Sequence, residues 1–233
     1  MIFMVYTDVL TSEEYDAWYY TDRGKYISGL EKDVLLKMIK PSAISHQPSA
    51  IDIACGTGYF TQFLGNYCGS IVGVDTSMEM IKYAMKNRKD SNIRYLVADA
   101  ESLPFKNGSF DMSVSMTAIN FFKNPVRAVT EAIRVSKKRI VLGVLNKWSI
   151  LSVFKRIKAY LKETSYSDAC FYNQREIVNM LSAFPQIKKA KKIHAYFLPF
   201  PRLQSILSKI EMIIPSWLPF GGFMGIAGEI EKR

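Results

Sequence analysis

Cysteine and histidine are scarce in this 233-residue chain. The three cysteines, Cys55, Cys68 and Cys170, are widely spaced and form no CxxC pair. Neither a disulfide framework nor a zinc site fits that pattern, and a reducing cytoplasm is the natural compartment. The two histidines, His46 and His194, stand apart from any carboxylate cluster. They leave no material for a metal centre or a Ser-His-Asp triad, so no metal is expected, and both read as ordinary surface or half-buried residues. Repeats, low-complexity tracts and clear linkers are also missing, which argues for one domain at this length. The apolar start Met1-Ile2-Phe3-Met4-Val5 has no basic stretch before it and no small-residue cleavage site after it, so no signal peptide is read. A hydrophobic fraction of 48% against 22% charged residues excludes wholesale disorder.

Charge is distributed unevenly. Residues 1–136 carry 14 Lys+Arg and 15 Asp+Glu, residues 137–192 carry 13 against 3, and residues 193–233 carry 4 against 3, so the middle segment alone supplies the net +10. Its clusters are Lys137-Lys138-Arg139, Lys155-Arg156-Lys158, and Lys188-Lys189 with Lys191-Lys192. A solvated basic face is the favoured reading. A patch for peripheral contact with an anionic membrane or for an anionic substrate stays open. Nucleic acid is disfavoured, because aromatics do not interleave with the lysines as a base-stacking platform requires. One run of 17 residues, Met212 to Gly228, has no charge. Pro215, Pro219 and Gly221-Gly222 break it, so it reads as a helix end, a turn and a buried strand, not a membrane span.

Between residues 49 and 145, apolar β-rich runs alternate with helical patterns. Strands are predicted over 49–54, 70–75, 92–97, 110–116 and 139–145, with runs continuous enough to be buried on both faces of a parallel sheet. Ser77 is placed to cap a helix with Met78, Ile81 and Met85 on its apolar stripe. Pro125 opens another, with Val126, Val129 and Ile133 on the stripe. Such alternation builds right-handed βαβ units, hence an α/β, doubly wound sheet. Further on, basic residues 148–161 and residues 174–184 read as helices, 187–197 as a sixth strand, 203–214 as a helix and 223–230 as a last strand.

The strongest local signal is Asp52-Ile-Ala-Cys-Gly56-Thr-Gly58-Tyr-Phe-Thr61, which follows a strand and opens a helix. Gly56 and Gly58 allow a sharp turn and close approach to a ligand, and the helix beginning there points its free N–H groups at it. Thr61 stands where the third glycine of GxGxxG would be, which argues against a pyrophosphate-binding dehydrogenase. Asp75 ends the second strand 17 residues after Gly58, where a carboxylate can accept from both hydroxyls of a ribose or merely complement a helix N-terminus. Ala98-Asp99-Ala100-Glu101 follows the third strand, where a carboxylate can receive an adenine amino group. Three such positions in order on three successive strand ends are far more specific than any one, because open α/β sheets bind ligands there.

DIACGTGYFT, GVDTSMEMIKYAM, VADAESLPFKNGSFD and TAINFFKNPVRAVTEAIRVSK resemble consecutive motifs of class I S-adenosylmethionine-dependent methyltransferases. The likeness is to the branch that includes the ubiquinone and menaquinone biosynthesis methyltransferases. It is clear over residues 49–146 and extends weakly to Glu14-Tyr15-Asp16-Ala17-Trp18-Tyr19 and to Leu145-Asn146-Lys147-Trp148-Ser149. The resemblance implies a Rossmann-like seven-stranded sheet with the last strand antiparallel. It divides the single domain into a helical cap over 1–48, a cofactor core over 49–146, a lid insertion over 147–172 and a C-terminal part over 173–233. It implies S-adenosylmethionine as cofactor and S-adenosylhomocysteine as product. Asp52, Ala54, Cys55, Gly56 and Gly58 would cradle the methionine end, Asp75 with Thr76 the ribose, Asp99 and Ala100 the adenine, and Met116 would line the site near the sulfonium. Tyr19, Tyr26, Asn120 and Trp148 would lie on the side of a small-molecule acceptor, although aromatics equally serve to pack a lid. Ala54 departs from a glycine common in the family, and Ser136-Lys137-Lys138-Arg139 replaces a Lys-Pro-Gly-Gly turn, a change expected in a remote loop.

The implied reaction is in-line methyl transfer, which needs positioning and a water-poor pocket more than a general base, and no catalytic side chain stands out. The acceptor class the likeness suggests is apolar, quinone-like or lipid-like. A cofactor-binding protein without transfer activity is the alternative, followed by a nicotinamide-dependent oxidoreductase and a basic RNA-binding module.

Overall fold

Seven strands form a single sheet in the order β3-β2-β1-β4-β5-β7-β6. They are β1 (Ser49–Ile53), β2 (Ser70–Asp75), β3 (Ile93–Val97), β4 (Phe110–Met116), β5 (Ser136–Leu145), β6 (Ile187–Ala195) and β7 (Phe223–Ile230). The first five pair in parallel, and β7 runs antiparallel between β5 and β6. The computed structural model describes residues 11–39, 47–149, 169–195, 215, 218 and 220–231. His46, the Met1 to Val5 run, the Lys155-Arg156-Lys158 cluster, the expected helix over 203–214 and all but the first two residues of the helix expected over 148–161 lie outside those residues.

Six helices flank the sheet among the described residues: α1 (Ser12–Trp18), α2 (Asp22–Ile39), α3 (Tyr59–Gly65), α4 (Met78–Asn87), α5 (Pro125–Val135) and α6 (Gln174–Ser182). Local chemistry sets their starts. Thr11 and Glu14 form a reciprocal capping box on α1, as Asn173 and Glu176 do on α6. The Ser77 hydroxyl accepts from Met80 N at the start of α4, and the Asn124 side chain accepts from Arg127 N just before Pro125.

Two apolar layers hold the sheet. One joins Leu35 and Met38 of α2 and Leu64 of α3 to Val114, Val141 and Phe223. The other joins Val129 and Ile133 of α5 and Leu181 of α6 to Ile51, Ile140 and Ile226. Each large aliphatic side chain so buried contributes roughly 1.5–3 kcal/mol. Gly225 lets α2 press on β7, since a Cβ there would stand 2.4 Å from Val34 Cγ1. Residues 223–228 of the uncharged run lie inside this strand, and no helix among the described residues is long and apolar enough to cross a membrane.

Three expectations need correction. The stripes of α4 and α5 are rotated: Met78, Met85 and Val126 are exposed, while Met80, Ile81 and Ala84, and Ala128, Val129, Ala132 and Ile133 are buried. Spacing alone had several solutions, and small alanines let the helices sit close with that face inward. Second, α5 passes directly into β5, so Ser136 to Arg139 are strand residues and not a loop, with Arg139 buried against α2 and donating to Met38 O. Third, β3 is an edge strand, and Leu96 and Val97 are exposed although the run was expected to be buried on both faces. The 98–109 connection to β4 is loop, so it supplies no helix to cover that face.

The register also gathers charge. Arg139 of β5, Glu229 of β7 and Lys189 of β6 lie in one row, which sets Lys137, Lys138 and the lysines of β6 at the same end of the sheet. Lys138 pairs with Asp111 at 3.3 Å.

Candidate active site

The carboxyl ends of β1, β2 and β3 lie side by side and carry the turn and both acidic positions. The turn after β1 bends through three left-handed residues, Ala54 (φ 58°), Gly56 (φ 54°) and Gly58 (φ 77°). Glycine adopts that conformation freely, whereas alanine is strained in it. This is the physical reason a glycine would be preferred at position 54. A Cβ on Gly58 would also stand 2.5 Å from the Tyr95 hydroxyl, which packs beneath the turn. Cys55 N donates to Val74 O, and Gly56 N donates to Asp75 Oδ2 at 2.9 Å, so the turn is clasped to the end of β2. Asp75 Oδ1 accepts from Ser77 N at 2.9 Å. The carboxylate is thereby aimed by two backbone donors from either side.

Asp52, at 1% exposure, accepts a 2.6 Å hydrogen bond from the Thr61 hydroxyl. Thr61, the residue that broke the dinucleotide pattern, thus holds the β1 carboxylate. Burial pushes the Asp52 carboxyl up from an ordinary 3.8 to about 7, with Thr61 opposing and Asp75 adding to the rise. Burial likewise drives the Cys55 thiol well above its ordinary value, so it stays a thiol. Thr76 and Asp99 are exposed, and Ala100 is buried. Asp99 Oδ1 accepts from Glu101 N at 2.9 Å, and Ala98 N bonds Asp75 O, which keeps the third strand end beside the second.

An aromatic wall stands against the turn. Tyr19 stacks on Tyr59 with ring centroids 3.8 Å apart, and Tyr59 is the residue after Gly58. Tyr15 meets Tyr19 edge-on at 5.8 Å, and Tyr20 meets Tyr59 the same way at 6.4 Å. Burial lifts the Tyr15 hydroxyl to about 12, with Glu31, Asp75 and Asp16 adding to the rise against the Tyr19 hydrogen bond. Tyr26 packs from α2 on the same core.

The ends of β4 and β5 form the other half. Met116 lies over Gly143 toward Phe223. Thr117 follows with φ 57°, a strained conformation for a β-branched residue. Asn120 is buried with its amide braced between elements: Nδ2 donates to Cys170 O at 2.8 Å, and Oδ1 accepts from Leu145 N at 3.2 Å. Trp148 is 57% exposed. His194 is buried, with Nε2 bonded to Gln174 Oε1 at 2.8 Å and its pKa lowered by burial to about 4. Among the described residues, no group of three or more His, Cys, Asp or Glu could hold a metal ion.

Sequence reasoning did not single out Thr57, Arg88, Thr117 or Asn146. Asn146 joins β5 to the loop before β7 by donating from Nδ2 to Gly221 O at 2.8 Å. Only the backbone angle marks Thr117, and only three-dimensional contact marks the others.

Comparison with known proteins gives one answer. A family model described as a methyltransferase domain matches residues 51–142. The uncharacterized protein MJ1123 of Methanocaldococcus jannaschii is 30% identical over 94% of this chain and 96% of its own length. A malonyl-[acyl-carrier protein] O-methyltransferase of Hamiltonella defensa is 26% identical over 69% of this chain and 67% of its own. Among solved structures, an S-adenosylmethionine-dependent methyltransferase from Thermotoga maritima matches with TM-score 0.73 and 27% identity, covering 94% of this chain and 96% of that one. By its motifs, its sheet and these relatives, the chain belongs to the class I S-adenosylmethionine-dependent methyltransferases.

Proposed function

We propose that the protein transfers the methyl group of S-adenosylmethionine to a small apolar acceptor of quinone-like or lipid-like character, releasing S-adenosylhomocysteine. One observation carries the reading: a left-handed turn, Asp75 and Asp99 stand in order at adjacent strand ends, with stacked tyrosines against the turn. Asp52 and the backbone of Ala54, Cys55, Gly56 and Gly58 take the methionine end. Asp75 and Thr76 take the ribose, Asp99 and Ala100 the adenine, and Met116 lines the reacting region. The fit is physical, because the turn carries only small side chains at 54, 56 and 58 and the Asp75 carboxylate is held at its end by two backbone donors.

When bound, the cofactor supplies an electrophilic methyl group on a positively charged sulfur. The chain contributes position and dryness. Holding the acceptor at attack distance is worth about 7–11 kcal/mol. Tyr19, Tyr26 and Trp148 offer the apolar surface that excludes water, and Asn120 braces the β4 and β5 ends against residue 170. In this reading one domain comprises cap 1–48, core 49–146, lid 147–172 and remainder 173–233. Three free thiols suit a cytoplasmic site of action.

Calorimetry with S-adenosylhomocysteine should give a micromolar dissociation constant, roughly −7 to −8 kcal/mol. Tritiated methyl transfer into a cell extract, partitioned between organic solvent and water, tests the rest. Label in the organic phase supports the reading. Label only in water overturns the apolar acceptor, and binding without transfer to either phase favours a cofactor-binding protein.

A further inference from the structure

A single buried carboxylate bolts the N-terminal helix to the glycine turn. Asp16, in the last turn of α1, is 2% exposed. Thr57, between the two glycines, donates its hydroxyl to Asp16 Oδ1 at 2.8 Å. Arg88, the C-terminal cap of α4, donates from Nη2 to both Asp16 oxygens at 2.7 and 2.8 Å. Tyr83 of α4 donates to Oδ2 at 3.0 Å. Arg88 also donates to Tyr20 Oη at 3.1 Å. Thr57 and Arg88 are themselves buried.

Besides its bonds to the end of β2, the turn is restrained from the side of α1. Residues 54, 56 and 58 are all left-handed, two of them glycines whose backbones have many other conformations open to them. Thr57 supplies a hydroxyl in the middle of this stretch, and its partner is Asp16. Next to it, Tyr59 is stacked on Tyr19, the residue that caps the C-terminus of α1, so α1 and its cap grip the chain on both sides of Gly58. A buried ion pair is weak evidence for net stability but a well-attested way to fix one arrangement.

We propose that Asp16 is a positioning residue: through Thr57 it holds the turn in its cofactor-binding shape and ties cofactor binding to closure of α1. This rests on the turn being the cofactor cradle. The coupling is reciprocal, so the cofactor should in turn hold α1 down.

The test compares wild type, Asp16→Asn, Thr57→Val and Thr57→Ser. Thr57→Val keeps the β-branched shape and leaves the Asp16, Arg88 and Tyr83 contacts in place, so it should fold even if Asp16→Asn does not. S-adenosylhomocysteine titrations well below each melting temperature should show affinity falling about tenfold or more in Thr57→Val and Asp16→Asn, with rescue in Thr57→Ser. Hydrogen exchange should show ligand protecting residues 12–18 in wild type and not in Thr57→Val. Unchanged affinity in Thr57→Val overturns the proposal, and a lower melting temperature alone would make Asp16 purely structural. Failure of the wild type to bind at all would instead overturn the cradle.

Discussion

Replacing Asp52 by asparagine should make the ligand-free protein more stable at alkaline pH and less stable in relative terms at acid pH. The carboxyl is 1% exposed and raised from 3.8 to about 7 by burial. With the folded-state value above the unfolded one, the unfolded chain ionises first. Below about pH 4 both states hold the proton and Asp52 costs nothing. As pH rises toward 7 the native state loses stability, and above 7 the loss is complete. At about 1.4 kcal/mol per unit over roughly three units, that loss is about 4 kcal/mol. Asparagine keeps the size and can accept the Thr61 hydroxyl through its carbonyl, but its amide group needs a partner, at a pH-independent cost of about 1–3 kcal/mol. The stability difference between variant and wild type should therefore swing by about 4 kcal/mol across this range, in favour of the variant as pH rises. Urea unfolding at stepped pH, followed by tryptophan fluorescence, measures it. Parallel stability curves for the two proteins would refute the reasoning. A cationic ligand beside Asp52 should also expel its proton, so binding of S-adenosylmethionine below about pH 7 should release up to one proton, seen by calorimetry in buffers of different ionisation enthalpy and lost in Asp52→Asn.

Three further outcomes are expected. Ala54→Gly should relieve left-handed strain of about 1–2 kcal/mol, less the entropy glycine adds to the unfolded chain, raising the melting temperature by about 1–3 °C in scanning calorimetry. Asp75→Ala should weaken S-adenosylhomocysteine binding about tenfold or more, because charge-assisted hydrogen bonds are worth about 1.5–3 kcal/mol each, and unchanged affinity by calorimetry would remove Asp75 from the site. Lys189→Val with Lys191→Val should turn the lysine-guarded edge strand β6 into a pairing surface, giving concentration-dependent association in sedimentation velocity.

The sheet was legible in the sequence because its signals are local. Buried parallel strands read as continuous apolar runs, and predicted β2, β4 and β7 match the observed bounds residue for residue. Caps were legible for the same reason, as Ser77 and Pro125 act within one helical turn. The misses share a cause of the opposite kind. Which face of α4 or α5 turns inward depends on what lies beneath it, and β3 is exposed because of its place at the sheet edge. The site divides along the same line. Glycines, Asp75 and Asp99 announce themselves because the chemistry needs those residue types at strand ends. Asp16 and Arg88, 72 positions apart, become a pair only when α1 and α4 meet. Thr61 belongs to both classes. In the sequence it counted only as a missing glycine, whereas in the fold its hydroxyl is a donor that works against Asp52's burial. A residue that breaks a motif can thus be the one that tunes the site the motif builds, and the pH swing of Asp52→Asn is a direct measure of how far that tuning goes.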